Sequence, residues 1–211
     1  MFAITSFRKS YHHRLVLDIP QLKLGRGIFW VRGANGSGKS TLLKTLAGIL
    51  HFEGDIFLNE HISIKKHPVA YRKRVNFAEA EPVYPEFLTG MDMVRLFATA
   101  KEAPAGQEEY FLESMGMKTY INEPLGTYSS GMLKKLSIAL AFLGDPRVIL
   151  LDEPLITLDA RSLELLYQWI EKKYLNGNVS FFLSSHQPLE DASWSAMQEL
   201  LVEKQTVKLL N

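Results

Sequence analysis

The first third of the chain alternates short apolar runs with polar, glycine-containing breaks. The apolar runs predict four strands, at residues 2–8, 15–19, 28–32 and 54–59. The segment Glu53-Gly54-Asp55 predicts a turn at the start of the last strand. Together these elements predict a small β region beside residues 33–41.

The middle of the chain changes to a helical pattern. Apolar residues recur at spacings of three and four in the segments 91–100, 106–115 and 130–143. The pattern is interrupted near Pro104 and at Gly126. We expect an all-helical subdomain over about residues 80–145.

Strand signals return after this helical stretch, at residues 148–151 and 179–183. A helix over about 159–174 separates them, which is the alternation typical of a parallel α/β sheet. The sequence therefore predicts a single domain over residues 1–211. Its α/β core comprises about residues 1–79 and 146–211, with the helical subdomain inserted between them.

Composition narrows the class of protein. The 211 residues are 46% hydrophobic, enough for a sizeable core, and the formal net charge of +1 provides no global attraction for nucleic acid or anionic lipid. There is no cysteine, which excludes a disulfide framework and thiolate-held metals. No apolar stretch approaches the ~20 residues of a membrane-spanning helix, and the N-terminus lacks the pattern of a secretion signal. We expect a cytoplasmic protein.

Residues 33–41, with the sequence GANGSGKST, match the phosphate-binding pattern G-x-x-x-x-G-K-[ST]. The loop follows an apolar strand and precedes a helical pattern, which is the setting the motif requires. Its glycines let backbone N–H groups turn inward toward phosphate, and the helix N-terminus favours an anion. The sequence predicts ATP binding by this loop, with these ligands: Gly33, Asn35, Gly36, Ser37, Gly38, Lys39, Ser40 and Thr41.

The predicted roles within the loop differ by side chain. Lys39 places a positive charge on the β and γ phosphates, and the hydroxyl of Ser40 ligates Mg²⁺. A second motif supplies two carboxylates, because the apolar strand 148–151 ends in Asp152 and Glu153. We expect Asp152 to hold Mg²⁺ and Glu153 to polarise the water that attacks the γ-phosphate.

The segment Tyr128-Ser129-Ser130-Gly131-Met132 resembles the signature sequence of ATP-binding cassette ATPases. That family usually has LSGGQ at this point, so Ser129 and Gly131 match and the other three residues are substituted. The segment opens a predicted helix, and its position between the phosphate loop and Asp152 is the one that the family shows. The resemblance extends from about Phe7 to His186 and implies an α/β fold with a P-loop NTPase core, a mixed and mostly parallel sheet, a small antiparallel β region and an inserted helical subdomain.

Further site residues follow from the same resemblance. Tyr11 resembles the aromatic residue that stacks on adenine, with His12 as an alternative, and His186 resembles the histidine that contacts the γ-phosphate. Asp159 matches the aspartate of the loop at the dimer interface. Glu79 occupies a position where the family generally has glutamine, and we expect its carboxylate to contribute to the Mg²⁺ site.

The resemblance also implies a mechanism. Two cassettes, identical or related, would form a head-to-tail dimer, with each ATP between the phosphate loop of one subunit and Ser129 and Gly131 of the other. The first functional hypothesis is a transport ATPase that docks on a separate membrane-spanning permease, partly through a groove near Val83 and Tyr84. The alternative is a soluble single cassette that acts in macromolecular or cofactor assembly.

A third hypothesis is an ATP-binding regulatory subunit that does not hydrolyse ATP. The substituted signature and Glu79 favour it, but five residues of the expected chemistry are present: Lys39, Ser40, Asp152, Glu153 and His186. We therefore expect hydrolysis of ATP. No nucleic-acid partner is expected.

Overall fold

The computed structural model describes residues 2–185, 194 and 197–210, and its first strands form an antiparallel sheet. The strands that open the chain are β1 (Phe2–Tyr11), β2 (Arg14–Leu24), β3 (Ile28–Arg32), β4 (Glu53–Leu58) and β5 (Ile62–Ser63). All of them except β3 make a four-stranded sheet in the order β2-β1-β4-β5, with every pairing antiparallel.

The second sheet is mixed and mostly parallel. It adds to β3 the strands β6 (Val75–Ala78), β7 (Val148–Leu151), β8 (Ser180–Ser184), β9 (Met197–Glu203) and β10 (Thr206–Leu210), in the order β10-β9-β3-β8-β7-β6. Among its described strands, only the β9–β10 hairpin is antiparallel. The α/β fold class with its two kinds of sheet is confirmed. The grouping of 28–32 with the small β region is wrong, because β3 lies inside the mixed sheet.

The described part of the chain contains six α-helices. They are α1 (Lys39–Leu46), α2 (Pro68–Arg74), α3 (Gly90–Ala100), α4 (Gln107–Ser114), α5 (Ser130–Ala141) and α6 (Ala160–Gly177), with one 3₁₀ turn at Leu125–Thr127. The elements between β6 and β7 are all helical, as the periodicity indicated. The subdomain boundaries at 79/80 and 145/146 stay a prediction. No helix in the described part of the chain is both long enough and apolar enough to span a membrane.

The mixed sheet separates two apolar clusters, which explains its near-continuous hydrophobic strands. Alternate residues of β7 point to opposite faces, so Leu150 packs with α1 and the antiparallel sheet, whereas Ile149 packs with α5 and α6. Phe182 and Phe181 divide in the same way on β8. Strands β3 and β7 pack against other elements on both faces, so the positions of their ends are well determined. The candidate site lies at these ends.

Candidate functional site

The phosphate loop connects the end of β3 to the start of α1. Gly38 is the N-cap residue of α1, with a φ of 108°, and no side chain in the described chain caps this helix start. A left-handed residue of this kind favours glycine. The first N–H groups of α1 are therefore left for a ligand, as an anion site at a helix N-terminus requires.

Gly33 begins the loop in a space too narrow for any side chain. A Cβ atom there would lie 2.4 Å from the carbonyl oxygen of Val202 and 2.6 Å from Ser37 Oγ. The hydroxyl of Ser37 is buried and has no hydrogen-bond partner among the described residues. Since buried polar groups are normally hydrogen-bonded, this hydroxyl fits a phosphate oxygen as its missing partner.

Lys39 is held over the loop that precedes it. Its Nζ donates to the carbonyl oxygens of Gly33, at 2.9 Å, and of Ala34, at 3.3 Å. Burial lowers the pKa of Lys39, while the carboxylates of Glu153 and Asp152 act in the opposite direction. The side chain is only 6% exposed, so its ammonium group is fixed near the loop rather than extended into solvent.

Asp152 and Ser40 meet although 112 positions separate them in the chain. Ser40 Oγ donates to Asp152 Oδ1 at 3.1 Å, and Ser184 Oγ donates to the same oxygen at 2.6 Å. The backbone N–H of Glu153 donates to Ser184 Oγ at 2.9 Å. A hydroxyl and a carboxylate are the hard oxygen ligands that Mg²⁺ takes, so the predicted pair Ser40 and Asp152 fits this ion.

Ser184 is a residue of the candidate site that the sequence did not reveal. It ends β8, and the parallel pairing of Leu151 with Leu183 places it beside Asp152 at the same edge of the sheet. The pattern of two adjacent apolar strands, each followed by a polar residue, is the signal that indicates it.

A pocket of about 770 Å³ lies beside the phosphate loop. Its walls are loop residues 35–41, Glu153, the end of β1 at Tyr11, the start of β2, and the turn between β9 and β10. Glu153 is 8% exposed and has a φ of 45°, an unusual backbone conformation for a residue with a side chain. The pocket thus brings the predicted base to the predicted phosphate loop.

Tyr11 reaches the same pocket from the end of β1. Its ring is half exposed, and Lys9 Nζ lies 4.6 Å from the ring centroid. Lys204 and Gln205 also line this pocket, and neither was identified from the sequence. Both have positive φ, and the carbonyl of Gln205 accepts from the N–H of Asp18 at 2.6 Å, so this hairpin turn is fixed beside β2.

The signature segment lies outside the pocket walls in the described part of the chain. Ser129 is the N-cap of α5, and its Oγ accepts from the N–H of Met132 at 3.2 Å. A Cβ on Gly131 would lie 3.1 Å from the carbonyl oxygen of Thr157, so this glycine permits close contact with the loop after Glu153. The structure does not join Ser129 and Gly131 to the phosphate loop within one chain.

Asp159 is positioned by the same region. Its carboxylate accepts from the N–H of Ser162 at 2.8 Å, which caps α6, and pairs with Lys135 of α5 at 2.6 Å. The hydrogen bond from Lys135, followed by that from Ser162, holds the pKa of Asp159 well below its usual value. Asp159 accompanies the signature helix rather than the phosphate loop.

Glu79 lies on a different cavity from the phosphate loop. Its carboxylate pairs with Lys44 of α1, and it lines a second cavity of about 280 Å³ with Val83 and Tyr84. No hydrogen bond or ion pair between Glu79 and Ser40 or Asp152 occurs in the described chain, and its metal role stays a prediction. His186 lies outside the described residues.

Lys134 is a second residue that the sequence analysis missed. This residue of α5 is 1% exposed, and its Nζ donates to the carbonyl oxygens of Asp152, Glu79 and Ala80. Burial lowers the pKa of Lys134 to about 8, against the attraction of the nearby carboxylates. The sequence pattern does not indicate this contact, because lysine side chains are rarely fully buried.

Comparison with known proteins gives one family. The family model described as ABC transporter matches residues 20–156. The chain is 31% identical over 181 residues to the cytochrome c biogenesis ATP-binding export protein CcmA of Legionella pneumophila, which covers 85% of this chain and 90% of that one. It is 30% identical over 184 residues to ABC transporter A family member 8 of Dictyostelium discoideum, but spans only 20% of that protein's length.

Several other curated relatives are also much longer than this chain. It spans 8% of the phospholipid-transporting ATPase ABCA7 of Homo sapiens, to which it is 32% identical over 178 residues, or 82% of its own length. Among solved structures, an ATP-binding subunit of an ABC transporter is 25% identical and superposes with a TM-score of 0.87, covering 99% of this chain and 88% of that one. A dimeric bacterial ABC transporter cassette, 19% identical, shares the fold with a TM-score of 0.83 over 99% and 97% of the two chains.

Proposed function

The chain belongs to the ABC transporter family of ATP-binding ATPases, and we propose that it powers transport through a separate membrane-spanning permease by ATP-driven closure of a cassette dimer. One observation carries the enzymatic part of this proposal. The fold brings Ser40 and Asp152 within 3.1 Å, beside a pocket formed by the phosphate loop and Glu153.

The candidate site residues have distinct proposed roles in ATP hydrolysis. The N–H groups at the start of α1 and the ammonium of Lys39 bind the β and γ phosphates, where charge increases in the transition state. Ser40 and Asp152 would hold Mg²⁺, and the ion would supply positive charge to neutralise the phosphates. Glu153 orients and polarises the attacking water, and its buried carboxylate accepts the proton. Tyr11 stacks on the base, and His186 contacts the γ-phosphate.

The position of the signature segment supports a composite site. Ser129 and Gly131 do not line the pocket of their own chain, which is consistent with a second cassette presenting its own Ser129 and Gly131 to the ATP held there. The γ-phosphate gives the closed dimer contacts that ADP lacks, and its loss by hydrolysis favours opening. A change from mostly open to mostly closed needs about 5.5 kcal/mol of differential binding, which two shared triphosphates can supply.

The permease would dock at the second cavity. That cavity adjoins Val83, which is 87% exposed, and Tyr84, whose burial raises its pKa to about 12. The cavity can accept a protruding segment of a partner, and the exposed apolar side chain beside it can contact that segment. The lantibiotic transport ATP-binding protein SrtF of Streptococcus pyogenes, of which this chain spans 80%, has a name consistent with this arrangement. The chain would then lie at the inner face of the cell membrane.

The alternative function is cofactor assembly by a soluble cassette. The name of the Legionella relative combines export with cytochrome c biogenesis, which is the observation that favours it. Purification of the tagged chain from its native cells in mild detergent distinguishes the two. A multi-spanning membrane protein at equal stoichiometry supports transport, and soluble partners alone support assembly.

The enzymatic proposal is tested with Glu153→Gln. This variant is expected to lose ATP hydrolysis, measured as phosphate release, while binding a fluorescent ATP analogue and forming a MgATP-dependent dimer in light scattering. Glu113→Gln is the matched control, because Glu113 pairs with Lys118 on the surface of the helical region. Phosphate release by Glu153→Gln at the wild-type rate would contradict the role of Glu153.

A further inference from the structure

Lys134 is buried in an unusual way for a lysine. Its three N–H donors are all used by backbone carbonyl oxygens, at 2.8 Å from Asp152, 2.9 Å from Glu79 and 3.1 Å from Ala80. No carboxylate among the described residues forms an ion pair with it, although those of Asp152, Glu153 and Glu79 act on it through space. Within the described chain, Lys134 therefore stabilises backbone carbonyl groups rather than a carboxylate.

The three carbonyl groups belong to two neighbouring strand ends. Glu79 and Ala80 follow β6, and Asp152 follows β7, which pairs with β6 in parallel. Lys134 reaches both from α5, the helix whose N-cap is Ser129. One ammonium group thus connects the signature helix to the segment that holds the candidate metal ligand and base.

The backbone at Asp152 is fixed from both sides. Its N–H donates to the carbonyl of Ala78 at 2.9 Å, and its carbonyl accepts from Lys134. The next residue, Glu153, has a φ of 45°, a conformation that persists only where the surroundings determine it strongly. Lys134 is one of the groups that supply this constraint.

We propose that Lys134 is a positioning residue for ATP hydrolysis, which orients the Asp152–Glu153 backbone relative to the helix that begins at Ser129. The inference rests on the proposed hydrolysis of ATP. Lys134 does not line the nucleotide pocket, so its loss misplaces Glu153 without removing a contact to the nucleotide. An error of this kind lowers the rate of chemistry and leaves nucleotide binding nearly unchanged.

The test compares Lys134 with Lys101, a half-buried lysine that follows the last residue of α3. Partial burial lowers the pKa of Lys101 to about 8, as burial does for Lys134, and Lys101 donates to the backbone carbonyls of Arg72 and Val75. These carbonyls lie before and at the start of β6, away from the site. Lys101→Met therefore removes the same kind of interaction as Lys134→Met from a different place.

We expect Lys134→Met to lower kcat at least tenfold, with KM and the affinity for an ATP analogue within about threefold of wild type. Lys101→Met should keep kcat within twofold of wild type, even if its unfolding midpoint falls as much as that of Lys134→Met. Lys134→Arg, which restores donors, should recover part of kcat. Lys134→Gln, with one amide donor group, is compared if the Met variant does not fold. Wild-type kcat in Lys134→Gln or Lys134→Met, or an equal loss in Lys101→Met, would overturn the proposal.

Hydrogen exchange separates this inference from the proposed function. The N–H groups of Asp152 and Glu153 should exchange at least tenfold faster in Lys134→Met, relative to the amides of β8, and should be unaffected in Lys101→Met. A wild-type protein that hydrolyses no ATP would overturn the proposed function, and the exchange rates would still test the role of Lys134. Unchanged exchange at both amides would overturn that role.

Discussion

The helix starts of α1 and α5 differ in how their free N–H groups are satisfied. At α1 the N-cap is a glycine, no described side chain caps the helix, and the hydroxyl of Ser37 beside it lacks a partner in the described chain. At α5 the side chain of Ser129 accepts from the N–H of Met132, so the helix carries its own cap. The first start is incomplete without a ligand, whereas the second is stable alone.

The surroundings reinforce this difference. Lys39, Asp152 and Glu153 converge beside α1 in largely buried positions, which favours strong and specific interactions with phosphate and metal. The start of α5 lies near the pair of Lys135 and Asp159, whose carboxylate is 55% exposed. We therefore expect α1 to contribute most of the binding energy for phosphate, and α5 to need no ligand for its stability.

The largest effect is expected at Lys39. Lys39→Met removes a charged hydrogen-bond donor to phosphate, which typically contributes about 2 kcal/mol, so ATP affinity should fall by about 30-fold. Titration with a fluorescent ATP analogue measures the change. Lys118→Met, at a surface ion pair with Glu113, is the control and should bind as wild type does. Equal affinity of the two variants for the ATP analogue would show that the start of α1 is not the main binding element.

A smaller effect on folding is expected at the other helix start. Ser129→Ala removes the cap of α5 and should lower the free energy of unfolding by about 1 kcal/mol. Urea denaturation of the nucleotide-free chain measures it. Ser129→Asn, which can still cap, should restore most of the loss, and an unchanged free energy in the alanine variant would show that α5 does not depend on Ser129.

The opposite result is expected at Ser37. Because its hydroxyl has no partner in the described chain, Ser37→Ala should change the free energy of unfolding by less than about 0.5 kcal/mol. ATP affinity should fall by about fivefold, the value of one hydrogen bond. The two measurements separate a role in binding from a role in folding. A loss of stability without a loss of affinity would show that Ser37 supports the fold instead of the site.

The smallest effect concerns Asp159. Since its pKa is lowered in the folded chain, its carboxylate stabilises the fold above the unfolded pKa of about 4, and this contribution is lost as pH falls further. Asp159→Asn keeps the ability to cap α6 but loses the exposed pair with Lys135, worth about 0.5 kcal/mol at neutral pH. The difference in unfolding free energy from wild type should decrease steadily as pH falls below about 4, toward the lowered pKa of the folded chain. A difference that does not change with pH in this range would show that the ion pair is not its cause.

Much of the site could be predicted because its signals are local. The phosphate loop is contiguous, and the strand 148–151 is apolar throughout and ends in Asp152 and Glu153. Helices α3 to α6 were identified by periodicity, with small errors at their ends. Helix α2 and strand β6 were missed because residues 68–78 are mixed in character and too short for either period to emerge.

The family, the α/β class and the chemistry of the phosphate loop could be identified from the sequence, since each depends on residue types at fixed spacing. The contacts between distant segments could not. Ser184 donates to Asp152, Glu79 pairs with Lys44, the turn at 204–205 lines the candidate nucleotide pocket, and Lys134 donates to the backbone of Asp152. These contacts depend on strand order and helix packing, which bring together residues that are far apart in the chain.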